Sequence, residues 1–436
     1  MTPEQLAALD KRHLWHPFTP MRLWMDGDPL IIDSAEGNEL IDLEGRRYLD
    51  GVSSLWCNLH GHRHPDIDAA VRAQLDRVAH STLLGLTHAP AIELAARLVE
   101  LAPQGLTRVF YSDSGSTAVE IALKLAYQAH QLRGDTRRSR FLVLDNAYHG
   151  DTIGSVSLGG IDLFHEIFQP LLFHTLRIAP TLAALESAFV EHGATLAAFV
   201  VEPLMQGAAG MLVQPPGFLE RARELCTQHG VLLICDEVAT GFGRTGTMFA
   251  CEQERVTPDL MCIAKGISAG YLPLAATLTT EALFETFLGA PTERRTFFHG
   301  HTYTGNPLAC AAGIASLDVF VKEQTLAAVK QKIAILTRLL EAQIQPLACV
   351  REIRQCGMMI GIELDPARVL GAPATMAAPP RALGAEVCAA ARKRGVMLRP
   401  LGPVIVWMPP LSITNAELTR LAEVTRASII EVCEAH

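Results

Sequence analysis

Residues 231–236 read Val-Leu-Leu-Ile-Cys-Asp, and residues 260–265 read Leu-Met-Cys-Ile-Ala-Lys. Each apolar run is too short for a helix and is bounded by breakers, so each predicts a buried strand whose carboxyl end presents one charged side chain. Those side chains are Asp236 and, 29 positions later, Lys265. Outward from this pair, residues 108 to 310 alternate short apolar runs with helix-like segments, the pattern of a mostly parallel sheet covered by helices. Strands are predicted at 108–112, 141–145, 196–202, 231–235, 260–264 and 273–279. Helices lie between them, as at 116–132, where Ser114 or Ser116 is the N-cap and Glu120 falls in the first turn. The fold class is therefore α/β.

The two ends of the chain read differently. Residues 30–50 hold paired short strands around Glu44-Gly45. Beyond 315 a long amphipathic helix precedes a mixed region closed by Pro409-Pro410. Residues 1–60 and 316–436 are accordingly predicted to form one smaller α+β domain beside a large domain of 61–315. Gly371 to Arg381 is Pro/Ala-rich and predicts a surface loop.

Composition narrows the class. The chain has 436 residues, of which 49% are hydrophobic and 19% charged, the profile of a large α/β enzyme. Its net charge of -9 leaves no electrostatic footprint for nucleic acid or an anionic membrane. The ten cysteines are scattered without a C-x-x-C pair, which points to a reducing cytoplasm. The N-terminus carries no secretory signal pattern, and no stretch of about eighteen apolar residues is present to span a bilayer.

Asp236 and Lys265 are the pair that a pyridoxal phosphate enzyme needs. Lysine bonds the cofactor aldehyde covalently, and an aspartate near the pyridine nitrogen keeps it protonated so that the ring accepts electrons. A structural ion pair at two buried strand ends is the competing reading, and the neighbouring motifs decide against it. Ser112-Asp113-Ser114-Gly115-Ser116 lies between a strand and a helix, where the N–H groups of Gly115 and Ser116 form a candidate phosphate cup. Tyr148, in Tyr148-His149-Gly150-Asp151, offers a flat ring to stack on a heteroaromatic cofactor. Val238, two residues beyond Asp236 and pointing to the same side, is a candidate to cover the opposite ring face.

Arg244, in a glycine-rich turn at 240–246, would be buried only if paired, with Glu202 as one candidate partner. His299 to Asn306 reads as an exposed glycine-histidine loop beside an anion site. A metal reading of that cluster, or of His60, His62 and His64, lacks the supporting carboxylates or thiols. Arg399, after the strand-like Val396-Met397-Leu398, suits a carboxylate bidentately, with an ordinary surface arginine as the default reading. A nucleotide-binding oxidoreductase would need a glycine fingerprint after the first strand, and a non-enzymatic binding module would leave Asp236 and Lys265 without a reason.

In combination, the strings SDSGSTAVE, YHGDT, DEVATGFGRTG and HGHTYTGNPLACA resemble the class III, fold-type I pyridoxal phosphate aminotransferases, over about residues 12 to 412. A narrower resemblance, to the 7,8-diaminononanoate synthases of biotin biosynthesis, rests on RHLWHPFTPM, DGVSSLWCNLHGHRHP, GLTHAPAIELA and RGVMLRPLGPVIVWMPPL. The resemblance implies a seven-stranded sheet in the large domain, pyridoxal 5'-phosphate as cofactor, and a homodimer with shared sites. Lys265 would be the covalent lysine, and Asp236 the partner of the ring nitrogen. Gly115 and Ser116 would hold the phosphate, with His301 and Thr302 reaching it from the neighbouring subunit. Tyr148 would stack on the ring, Gly300 would line the substrate site, and Arg399 would grip the substrate carboxylate. Phe18 and Leu55-Trp56 stand where many S-adenosylmethionine-using members carry a tyrosine and a Trp-Trp pair. The donor implied is S-adenosylmethionine, with L-lysine, or another ω-amino acid or diamine reaction, as alternatives.

Overall fold

The computed structural model describes residues 1–369 and 382–433; the loop predicted at 371–381 lies outside them. At its centre is a seven-stranded sheet in the order Leu106–Ser112, Ala275–Thr280, Leu260–Ile263, Leu232–Asp236, Leu196–Val201, Arg140–Leu144, Leu176–Ile178. All its pairings are parallel except the two made by Ala275–Thr280. Burial on both faces explains the unbroken apolar runs: Leu233, Ile234, Cys235, Met261, Cys262 and Ile263 are fully buried. Six of the seven strands were predicted from sequence. Leu176–Ile178 was missed because three residues at a sheet edge carry too little periodicity to read.

Register sets the site. Ile234 lies opposite Leu260 and Asp236 opposite Cys262, so Asp236 and Lys265 emerge side by side at one edge of the sheet. The strand Leu196–Val201 ends at that edge, with Val201 opposite Cys235. The strand Leu106–Ser112 also ends there and feeds the helix Gly115–Leu132, whose N-cap Ser114 accepts the Thr117 N–H. Because the helix starts at Gly115, Ser116 is not its cap, and Glu120 stands in its second turn rather than its first. Glu120 instead accepts the Thr152 hydroxyl at 2.6 Å and the Gly154 N–H at 2.8 Å. Ala118, Val119, Ile121, Ala122, Leu125 and Ala129 bury the helix's inner face, at helical spacing.

The two chain ends meet in one smaller sheet, and a second is built from the C-terminal part alone. Ile32–Glu36, Glu39–Asp42 and Arg47–Asp50 form an antiparallel set, which Val396–Met397 joins in parallel. Val350–Cys356, Met359–Leu364, Val404–Trp407 and Arg399–Leu401 form the other.

Candidate active site

Where the five parallel strands of the site's edge end, their following residues surround a cavity of about 390 Å³. Its walls include Ser114, Gly115, Ser116, Tyr148, His149, Glu202, Asp236, Val238, Lys265 and Trp56. A crevice at the carboxyl ends of parallel strands is where open α/β sheets bind ligands.

Lys265 sits at φ +46°, in the left-handed region that a non-glycine residue adopts at a cost of about 1–3 kcal/mol. Its Nζ lies 4.8 Å from the centre of the Trp56 ring and has no hydrogen-bond or ion-pair partner among the described residues. Burial holds its pKa below the ordinary lysine value, against the opposing pull of Asp236 and Glu202. Asp236 is fixed on both oxygens: Oδ1 accepts the Val238 N–H at 3.1 Å, and Oδ2 meets His149 Nδ1 at 2.7 Å. Burial pulls the His149 imidazolium down, and the hydrogen bond and charge of Asp236 more than reverse this, so His149 holds its proton more tightly than a free histidine. Its partnership with Asp236, across 87 positions, has no sequence signal beyond its place next to Tyr148.

The phosphate cup is shaped by glycine. A Cβ on Gly115 would fall 2.6 Å from Val238 Cγ1, and one on Gly150, at φ +122°, would fall 2.0 Å from Ser116 Oγ. Both backbones therefore approach closely, and Ser116 Oγ accepts the Asp151 N–H at 3.1 Å. The first N–H groups of the helix have no partner within it. Tyr148 lies four residues past its strand, in the following loop; its hydroxyl donates to Asp151 Oδ2 at 2.7 Å, and burial raises its pKa.

Glu202 and Arg244, offered as partners by the sequence, are not paired. Arg244 is buried and donates to the carbonyls of Pro409 at 2.5 Å and Asn58 at 3.0 Å, tying the glycine-rich turn to both chain ends, and burial lowers its pKa to about 10. Backbone carbonyls brought in by the tertiary fold leave no sequence pattern, which is why this pairing was misread. Glu202 Oε1 accepts the Gly207 N–H at 3.0 Å, while its Oε2 is buried without a hydrogen-bond partner among the described residues. Burial pushes the Glu202 carboxyl up to about 7, with His149 and Lys265 opposing and Asp236 assisting.

The other predicted site residues fall outside this wall. Phe18 and Leu55 are exposed, Leu55 within a kinked turn at Ser53–Trp56 that buries Trp56. Gly300 and Thr302 lie in an exposed loop, where His301 Nε2 stands 3.9 Å from Asp113. Arg399 is half-buried on its short strand. The three early histidines are structural: His60 meets Ser316, His62 meets Asp50, and His64 meets Glu323, each at 3.0 Å.

These residues fit pyridoxal phosphate: an amine without a partner, a carboxylate oriented by His149, free N–H groups at a helix start, and flat and branched side chains on the same wall. The sequence matches the class-III aminotransferase family model over residues 24–429, and the chain belongs to that family. It is 58% identical over 451 residues to the adenosylmethionine-8-amino-7-oxononanoate aminotransferase of Nitratidesulfovibrio vulgaris, an alignment covering 99% of this chain and 82% of that protein. The crystal structure of the enzyme of that name from Methanocaldococcus jannaschii superposes with a TM-score of 0.95 at 41% identity, covering 100% of both chains. An (S)-enantioselective omega-transaminase from Thermomicrobium roseum superposes at 0.92 with 35% identity, covering 99% of both.

Proposed function

We propose that this chain transfers an amino group from S-adenosylmethionine to 8-amino-7-oxononanoate, forming the 7,8-diaminononanoate of biotin synthesis, with pyridoxal phosphate as cofactor. The observation that carries the reaction type is the unpartnered Lys265 amine in one cavity with the doubly held Asp236. The substrates rest on the names of the full-length relatives.

Bound here, pyridoxal phosphate would supply a carbonyl that exchanges amino groups and a ring that takes up the electrons of a breaking C–H bond. Lys265 Nζ would hold the cofactor covalently and, once released, carry the proton between substrate and cofactor carbons. Its lowered pKa favours the neutral amine that this role needs. Asp236 would keep the ring nitrogen protonated, and His149 fixes the carboxylate that does so. Gly115 and Ser116 would bind the phosphate; Tyr148 and Val238 would face the ring from either side.

Gly300, His301 and Thr302 would complete the site from a second subunit, a homodimer reading supported by their placement away from the cavity wall and by exposed Leu84, Leu86 and Phe298. Phe18, Leu55, Trp56 and Arg399 would complete the substrate pocket. A cytoplasmic location is supported by ten cysteines scattered without a C-x-x-C pair, and no helix among the described residues is long and apolar enough to cross a membrane.

The test is to mix the cofactor-loaded protein separately with S-adenosylmethionine and with lysine, following the cofactor's visible absorbance. Bleaching by S-adenosylmethionine, restored by 8-amino-7-oxononanoate, is expected. Bleaching by lysine alone would move the donor assignment to lysine.

A further inference from the structure

Three carboxyl side chains line the cavity, and two are already engaged. Asp236 is held by His149 and Val238, and Asp113 accepts the Thr117 hydroxyl at 2.8 Å. Glu202 is different. It is 6% exposed, one oxygen takes the Gly207 N–H, and the other has no hydrogen-bond partner among the described residues. A carboxylate can accept about four hydrogen bonds, and a buried polar atom left without one needs a reason.

The fold fixes this side chain where the reaction occurs. Val201 lies opposite Cys235, so the next residues, Glu202 and Asp236, stand on adjacent strand ends, with Lys265 beyond the next strand. Gln214 Nε2 donates to the Glu202 carbonyl at 2.6 Å, which clamps the backbone as well. The unpartnered oxygen is thus a fixed acceptor in the wall that also carries Lys265.

The proposed acceptor substrate has a matching feature in its chemistry. In 8-amino-7-oxononanoate the amine at carbon 8 is bonded next to the ketone at carbon 7, while its carboxylate is at the far end of the chain. A ketone held at Lys265 therefore brings an amine alongside it. We propose that Glu202 binds this neighbouring amine and selects α-amino ketones over plain ketones, an inference that rests on the acceptor assigned above. The amine and the carboxyl share a proton, whichever of them carries it on entry. A carboxyl held near pH 7 by burial becomes fully ionised once an ammonium sits beside it, so binding and ionisation reinforce each other.

Glu202→Gln tests this, because the glutamine oxygen still accepts the Gly207 N–H and preserves the strand end. In the cofactor-loaded protein, kcat/KM is measured for 8-amino-7-oxononanoate and for 7-oxononanoate, which lacks only the amine. The wild type should prefer the amino ketone, and E202Q should reduce that preference by about ten- to hundredfold, chiefly through KM. The rate of cofactor bleaching by the donor, whose only amine near the reacting carbon is the one transferred, should stay within about twofold of wild type. An unchanged preference in E202Q, or an equal loss in both half-reactions, would overturn the role of Glu202 alone. A wild type inert toward 8-amino-7-oxononanoate yet active on other ketones would overturn the acceptor assignment and this inference with it. Calorimetric titration of 8-amino-7-oxononanoate into both proteins gives a readout independent of turnover, with weaker binding to E202Q expected.

Discussion

Lys265 joins three properties that seldom coincide: a strained backbone, burial, and an amine without a hydrogen-bond or ion-pair partner among the described residues. Burial alone would favour exchanging it for an apolar residue, so its retention requires a task. Replacing Lys265 with Ala should lower turnover by at least about a thousandfold, in keeping with the loss of a positioned proton carrier. Equilibrium dialysis should show pyridoxal phosphate still binding through the phosphate and ring contacts. Near wild-type turnover would remove Lys265 from the mechanism. His149 belongs to the same scale. His149→Ala leaves Asp236 one hydrogen bond short, and kcat should fall about tenfold or more while KM for the donor changes little. Asp236 and Lys265 were legible because each follows an unbroken apolar run. His149 and the true partners of Arg244 were not, since their contacts join positions far apart in the chain.

At the scale of elements, the parallel strands supply rigidity and the smaller sheets supply reach. Leu233 is fully buried in the strand that ends at Asp236, so Leu233→Ala should cost about 2–5 kcal/mol, readable by denaturant unfolding. His60 links the segment after the kinked turn to the helix Pro307–Lys322 through Ser316 and packs edge-on against Phe320. Burial lowers its pKa to about 3. The unfolded chain takes up that proton near pH 6.5 and the folded chain only near 3, so His60's share of stability is complete above 6.5 and is lost as pH falls toward 3. His60→Gln should flatten the fall of Tm with acid across that window; an unchanged slope would assign the acid sensitivity elsewhere. The strong apolar runs made the central strands readable from sequence. Short edge pieces such as Leu176–Ile178 and Met205–Gln206 are defined by their neighbours rather than by their own residues.

At the scale of the whole molecule, sequence and structure converge on a class III aminotransferase, and its proposed cofactor site lies at one edge of a single sheet. The proposed shared site predicts complementation. Lys265→Ala and Thr302→Asp chains, each inactive, should on mixing and reassembly regain about a quarter of wild-type activity, since half the dimers are hybrids with one intact site each. No recovery would place Thr302 outside the partner's site.

The most direct measurement is product identity. Cofactor-loaded protein is incubated with S-adenosylmethionine and 8-amino-7-oxononanoate, and the products are resolved by mass spectrometry. We predict 7,8-diaminononanoate, formed in step with loss of the donor amine and absent with Lys265→Ala. Absence of that product with both S-adenosylmethionine and lysine as donors, while the same protein aminates another ketone, would contradict the account.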